Sequence, residues 1–444
     1  MNPLDRRIIA LALPALGSLA VEPIYVLVDT AIVGRLGTDQ LAGLAVAATV
    51  LSFVFIGSNF LTYGTTERVA RNLGAGNPVA AANAGVQGMW VAAIVGIPLA
   101  LVLFAVARPL SAVLGASDDV LDYATTFLTI SAVGVPFVLV TLASQGVLRG
   151  KSDYITPLWI LLASNVANVL IELVLVFALD LGVAGSAWST VIAQIGAACA
   201  FAWRIRRPLR PASITRPDRA GMAPLMTAGT HLLLRVGSML AVFAGATMVA
   251  ARIDKPTLAA HQIVMSMFLF LALVLDALAV PAQTIVAEDL GRDDRSTAAQ
   301  VASRAARLSL ITGVALGLLL AALAPLLPRL FTDDQPVIDR AVAGLWWLAL
   351  VLIPGAIAFA YDGVLIGAAD YRFLGRAALL YLLAVLPIGA ITLLYPALGI
   401  AGIWGGLLVW MTIRATANHI RTKHVLVREP DGWGQAPSVP LLDT

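Results

Sequence analysis

A single cysteine, Cys199, stands in 444 residues, so no intrachain disulfide can form, and a lone thiol inside an apolar helix most often serves packing. Charge is nearly as scarce. Asp, Glu, Lys and Arg make up 12% of the chain, about half the share usual in soluble domains, while 59% is hydrophobic and mean hydropathy is +0.89. A water-soluble globule is excluded. Only four histidines occur, scattered at His231, His261, His419 and His424, and no Cys/His metal spacing, H-E-x-x-H, G-x-S-x-G or Walker A pattern is found. The chain is therefore read as a non-enzyme without a cofactor. Missing too is the turn-punctuated, alternating ten-residue pattern of a membrane β-barrel, so the apolar runs are helices.

What is present is a series of long uncharged stretches: Gln40 to Thr66, Asn72 to Ala107, Tyr123 to Leu148 and Ala377 to Ile413. Each can cross a bilayer core of about 30 Å, which takes roughly 20 helical residues. With their polar breaks they predict twelve spans near 7–34, 41–70, 79–105, 119–147, 155–178, 182–203, 222–252, 257–290, 296–327, 337–366, 372–395 and 398–420, with ends good to about ±4 residues. Lys and Arg accumulate in cytoplasmic loops. Of the 29 here, 22 fall on the side of the termini, 6 on the other, and Arg235 lies within a span. Both termini are expected in the cytoplasm and the chain in the cytoplasmic membrane. The pI of 9.2 reflects that bias rather than nucleic-acid binding. The opening MNPLDRRIIALALP has no cleavable-signal pattern, and the Pro/Gly-rich end is read as a disordered tail.

The chain also repeats itself. QGVLRGKSDY (145–154) returns as DGVLIGAADY (362–371), six letters identical at an offset of 217, and Leu73-Gly74 with Leu290-Gly291 and LGVAG (181–185) with LGIAG (398–402) keep the same offset. A duplicated six-span unit follows. An even number of spans per copy makes the repeats parallel, about an axis along the membrane normal. The expected organisation is an N-lobe (1–203), a basic linker (204–221), a C-lobe (222–420) and a tail (421–444). Two bundles facing across a cleft suit alternating access, so transport is favoured over catalysis. In the decapeptides, Gly150 and Gly367 suit a helix stop and Asp153 and Asp370 a cap.

Ionisable side chains inside spans are costly and are functional candidates by default. Span one offers Glu22 and Asp29, seven residues apart on one face; span five offers Asn165, Asn168 and Glu172 on one face; span six adds Ser186, Ser189 and Thr190. A rise of about 1.5 Å per residue puts Asp29, Glu172 and Thr190 in one layer of the outer half. Two neighbouring carboxylates in a dry site cannot both ionise cheaply, so such a cluster can hold a proton or a small cation. For Asn165 and Ser189 the alternative is helix–helix hydrogen bonding, and for Glu22 the cap of a kink at Pro23. Arg235 is expected to partner a carboxylate across the cleft. Asp276 and Asp362 are the C-lobe candidates, and Asp362, near the inner mouth, equally fits a solvated or loop-capping carboxylate. Pro14 and Pro354 interrupt helix hydrogen bonding and are candidate hinges or static kinks.

With VDTAIVGRLGT after a proline-kinked first span, NVLIELVLVFALDLGVAGSAWSTVIAQ over spans five and six, and DGVLIGAADY after span ten, the chain resembles the MATE (multidrug and toxic compound extrusion) transporters, most closely their DinF (DNA-damage-inducible) branch. The resemblance covers everything but the tail. It implies twelve helices in two pseudo-symmetric six-helix lobes and export of amphipathic or cationic compounds, by a monomer in the bilayer, in exchange for protons or sodium ions. It also implies an N-lobe cation site at Asp29, Asn168, Glu172 and Thr190, with Glu172 standing where many members have Asp, and a bending proline at Pro14. The seventh-span Glu of some members is absent; that span carries Arg235. A lipid-linked oligosaccharide flippase of the wider superfamily, which would need a cationic cleft, and a non-transporting receptor or scaffold are the alternatives.

Overall fold

The computed structural model describes residues 2–427. Thirteen α-helices build twelve spans: α1 Pro3–Gly34; α2 Thr38–Ser58 and α3 Phe60–Gly74, which together form the second span; α4 Pro78–Val113; α5 Asp118–Gly150; α6 Ile155–Leu173; α7 Gly182–Leu209; α8 Arg219–Ile253; α9 Lys255–Gly291; α10 Arg295–Leu323; α11 Gln335–Gly367; α12 Tyr371–Leu394; and α13 Gly399–Val427. No strand occurs among the described residues. The physical reason is the solvent. Lipid offers backbone groups no partner, so each span must satisfy its own hydrogen bonds, and helices do so even through the internal prolines Pro14, Pro98, Pro136 and Pro354.

Span number and order match the sequence expectation, with three differences of extent. The second span breaks at Asn59 instead of running through. The basic linker is short: α7 continues to Leu209 and α8 begins at Arg219. The segment assigned to the tail is helical as far as Val427, and residues 428–444, assigned to disorder, lie outside the described residues. Cys199, expected to pack, is exposed.

Two large apolar cores form. One lies within the C-lobe around Phe268, Trp404 and Trp410; the other gathers around Leu61, Leu128, Val135 and Leu139 of the N-lobe and takes in Leu225, Leu232 and Leu374 of the C-lobe. Because lipid tails are as apolar as leucine, close packing rather than water exclusion holds such helices, and small residues let backbones approach. The repeated decapeptides do this. A Cβ added at Gly146 would lie 2.7 Å from the Thr65 Cβ, and one at Gly150 2.7 Å from the Val69 Cβ; their counterparts Gly363 and Gly367 press on the carbonyls of Ala279 and Gln283. So α5 seats on α3 and α11 on α9 by the same i, i+4 glycine pair. The turn that follows is also duplicated, but its left-handed residue is Ser152 (φ 60°) in one copy and Ala369 (φ 59°) in the other. Gly150 and Gly367 thus serve packing more than stopping. Asp153 caps the next helix by accepting from the Thr156 N–H at 3.0 Å, whereas Asp370 makes no cap bond and pairs with Arg421 at 2.6 Å.

The lobes meet where α3 crosses α9. Gly74 and Gly291, twins at the offset of 217, each lie against the other helix's backbone, at the carbonyls of Glu288 and Arg71. Around that crossing run the hydrogen bonds between lobes: Gln283 Nε2 to the Tyr63 carbonyl (2.9 Å), Tyr154 OH with Thr284 (2.5 Å), Arg7 with Glu288 (2.6 Å) and Arg304 with Asp5 (3.4 Å). All belong to the half of the molecule that carries the termini. Among the described residues no hydrogen bond joins the lobes in the other half. The hydrogen bonds that join the lobes thus gather at the basic end.

Helix α1 contacts both lobes. Ile8 and Ala12 pack with Leu278, Ala282 and Ile285 of the C-lobe, while Asp29 turns to α7 of its own lobe.

Candidate functional site

Three helices of the N-lobe converge on Asp29. Spacing explains how: Tyr25 and Asp29 on α1, Asn168 and Glu172 on α6, and Ser186 and Thr190 on α7 are each four residues apart, one above the other on a single face. The Ser186 hydroxyl donates to Asp29 Oδ1 at 2.8 Å, Tyr25 OH lies 2.9 Å from Thr190 Oγ1, and Asn168 Nδ2 reaches Thr190 Oγ1 at 3.4 Å. Asp29 is 7% exposed, Asn168 2% and Glu172 0%. The layer proposed from helix rise is thus a contiguous cluster.

Glu172 is the unusual member. Its carboxyl neighbours that of Asp29, yet neither of its oxygens has a donor when both groups are ionised, and Asn168 Oδ1 is also without one. Contact between two carboxyl groups becomes a hydrogen bond only when one of them carries a proton. Immediately beyond Glu172 the helix loosens into a π-helical turn, Val174–Ala178, a form that recurs at functional sites.

The other candidates divide. Glu22, on the same stripe of α1 as Asp29, is exposed and outside the cluster; Asn165 is half-buried with no side-chain hydrogen bond among the described residues; Ser189 turns back to the Ser186 carbonyl at 2.7 Å. Pro14 sits within an unbroken helix, where the Ser18 hydroxyl donates to its carbonyl at 3.0 Å, a back-bond that favours bending. Pro354 lies within α11, also continuous.

In the C-lobe three expectations are corrected. Asp362 is neither solvated nor a loop cap: it is 4% exposed and held by Arg235 at 2.5 Å, by Arg414, and by Asn418 Nδ2 at 2.7 Å, with Tyr381 OH donating onward to Asn418 at 3.2 Å. Arg235 does find a carboxylate, but within its own lobe and not across the cleft. Nor is it the only intramembrane base, because Arg414 (2% exposed) and Arg149 (7%) are buried too, the latter donating to Gln145 at 3.1 Å. Arg414 also sits over the rings of Phe359 and Trp410, at 5.2 and 5.6 Å. Asp276, half-buried on α9, makes no hydrogen bond among the described residues and feels the charges of Arg235 and Asp362.

Sequence reading missed Tyr25, Arg414, Asn418 and Tyr381. Tyr25 was detectable as the residue one turn before Asp29; Arg414 and Asn418 were detectable as polar residues one turn apart in WMTIRATANHI. The duplication sharpens the contrast between lobes. Positions equivalent to Asp29, Asn168, Glu172, Ser186 and Thr190 are Ala246, Val385, Gly389, Ile403 and Leu407, and those equivalent to Arg235, Asp362 and Arg414 are Ser18, Gln145 and Ala197. Each lobe keeps a polar network that its twin lacks.

Residues 14–174 and 234–391 match the MatE family. Relatives include Protein DETOXIFICATION 44, chloroplastic, of Arabidopsis thaliana, 31% identical over 94% of this chain and 82% of the relative, and DNA damage-inducible protein F of Escherichia coli K12, 28% identical over 92% and 90%. A solved structure of a MATE protein in the bent conformation superposes with a TM-score of 0.89 at 18% identity, covering 96% of both chains.

Proposed function

From the premise that this chain belongs to the MatE family, whose members are transporters, we propose that it exports amphipathic or cationic small molecules in exchange for protons, with Asp29 and Glu172 as the coupling pair. The observation that supports this is Glu172: a wholly buried carboxyl beside another, with no donor of its own. Burying an unpaired carboxylate costs several kcal/mol. One shared proton between Glu172 and Asp29 removes that cost and supplies the missing hydrogen bond. The proton enters from the end opposite the termini; losing it towards the basic end leaves two adjacent charges, which α1 relieves by shifting at Pro14. Exchange is coupled because proton and substrate favour different states.

The Lys/Arg bias supports placing the basic end and both termini in the cytoplasm and the protein in the cytoplasmic membrane. Sodium is the second reading, on one observation: Asn168 Oδ1 and both Glu172 oxygens are unused acceptors beside Thr190, and hard cations take oxygen ligands. For a flippase of lipid-linked anions the cleft would need free cations deep within the spans, whereas the arginines there, Arg235 and Arg414, are both committed to Asp362.

The test is export from proteoliposomes under an imposed pH gradient, with and without sodium. Asp29→Asn keeps an acceptor for Ser186 and offers Glu172 a permanent donor, so the fold persists while proton-driven export stops. Wild-type export by Asp29→Asn refutes the coupling role.

A further inference from the structure

The basic end is not symmetric about the lobe axis. On one side, α1 and α6 seal against α9: Arg7 pairs with Glu288, Tyr154 OH bonds Thr284, and Ala15, Tyr154 and Val280 form a buried cluster. On the other side the equivalent residues at the offset of 217 are Pro224 for Arg7, Arg71 for Glu288, Tyr371 for Tyr154 and Glu67 for Thr284. Proline cannot make the ion pair, and Glu67 is taken by Arg71 at 2.6 Å. The wedge between α3, α8, α12 and α13 therefore stays open as a cavity of about 1580 Å³, larger than the roughly 300–1,000 Å³ of a drug-sized site.

Its chemistry is that of an amphiphile's complement. Apolar lining comes from Ala223, Leu225, Ala377 and Leu380, of which Leu380 is 63% exposed, and Thr227 and His231 stand further along α8. Towards the helix ends stand Arg68, Arg71, Arg295, Arg372, Arg376 and Arg421 against only Glu67, Asp293 and Asp370. Two of those acids are already paired, with Arg71 and Arg421, while Arg68, whose Nη1 donates to the Gly221 carbonyl, and Arg376 have no carboxylate partner among the described residues. An independent observation points to a ligand. Tyr371, 9% exposed, lines the cavity, and its buried hydroxyl has no partner, where its twin Tyr154 has two.

We propose that this cavity binds one acidic phospholipid, its phosphate among Arg68, Arg376 and the Tyr371 hydroxyl and its acyl chains along Ala377 and Leu380. Basic pockets between helices at the membrane surface take anionic headgroups in this way. The lipid bridges α3 of one lobe to α8 and α12 of the other and fills on this side the wedge that protein fills on its twin.

Native mass spectrometry of the full-length protein, titrated with phosphatidylglycerol or phosphatidylcholine, tests the assignment. One phosphatidylglycerol is retained and phosphatidylcholine is not. Arg376→Gln, at an exposed side chain, weakens retention about fivefold, the factor for one basic residue at a membrane surface; Tyr371→Phe, which keeps the ring, weakens it as well. Arg207→Gln, at the same end but outside the cavity, leaves it unchanged. Equal retention of both lipids, or an equal loss in Arg207→Gln, overturns the site. Displacement by equimolar glycerol 3-phosphate shows a site for soluble phosphate and overturns the lipid assignment.

Discussion

Asp362→Ala removes the one carboxylate bonded to Arg235 and Arg414 among the described residues. Both guanidiniums then stay inside the C-lobe: their side chains are 12% and 3% exposed, and neither has another carboxylate partner among the described residues. Breaking one buried ion pair costs about 3–5 kcal/mol because it strands the other charge. Two pairs share one carboxylate here, so their costs are not additive; the lower bound of about 3 kcal/mol is already a large part of a typical stability of about 5–15 kcal/mol. Asn418 also loses its acceptor. The cost comes from stranded charge, not from lost volume, and that makes a second variant decisive. Asp362→Leu combined with Arg235→Met and Arg414→Met removes all three charges at similar bulk, and such replacements of buried pairs are often neutral or stabilising. Heating the detergent-solubilised protein and following the monodisperse peak by fluorescence-detected size exclusion measures both. Asp362→Ala loses its peak well below the wild-type temperature, and the triple variant recovers most of the difference. A wild-type melting temperature for Asp362→Ala, or a triple variant no better than it, refutes the reasoning.

Other outcomes follow from the same geometry. Glu172→Gln abolishes proton-driven export as Asp29→Asn does, and the double variant is no worse than either single one, as the proposed shared proton requires; an additive loss measured in proteoliposomes contradicts that proposal. Gly74→Ala places a methyl against the Glu288 carbonyl and disfavours closure at the basic end, which spin-label distances between α3 and α9 report as a population of longer separations. Gly150→Val drives side-chain bulk into Val69 and the Thr66 carbonyl and lowers the melting temperature of the N-lobe, whereas substitution at Gly237, which has no neighbour within 4 Å, leaves it unchanged.

Much of this was legible in the residues themselves. Span count, the duplication and the N-lobe layer of Asp29, Glu172 and Thr190 follow from hydropathy, from an offset of 217 and from a fixed rise per residue, all local quantities. Partnership across helices was not legible. Glu22 and Asp29 share a stripe of α1, yet only Asp29 is covered, because a helical period specifies a face and not where a neighbouring helix lies on it. Arg414 was counted with the basic end, but helix packing draws it inward to an aspartate 52 residues away.

By itself, then, the sequence determined a twelve-helix membrane protein of two parallel copies, since lipid leaves the backbone no other solution, and it determined that carboxylates stand inside the spans. Tertiary structure alone decided their roles. Asp29 and Glu172 were placed beside each other, with the Ser186 hydroxyl donating to Asp29 and no cation among the described residues bonding either, which is the arrangement the proposed proton exchange rests on. Asp362 was placed between two arginines, which leaves none to exchange. The residue type is the same at Asp29 and Asp362; what separates them is the charge of the neighbours that packing brings within about 3 Å, where Coulomb energy in a dry interior outweighs every local preference.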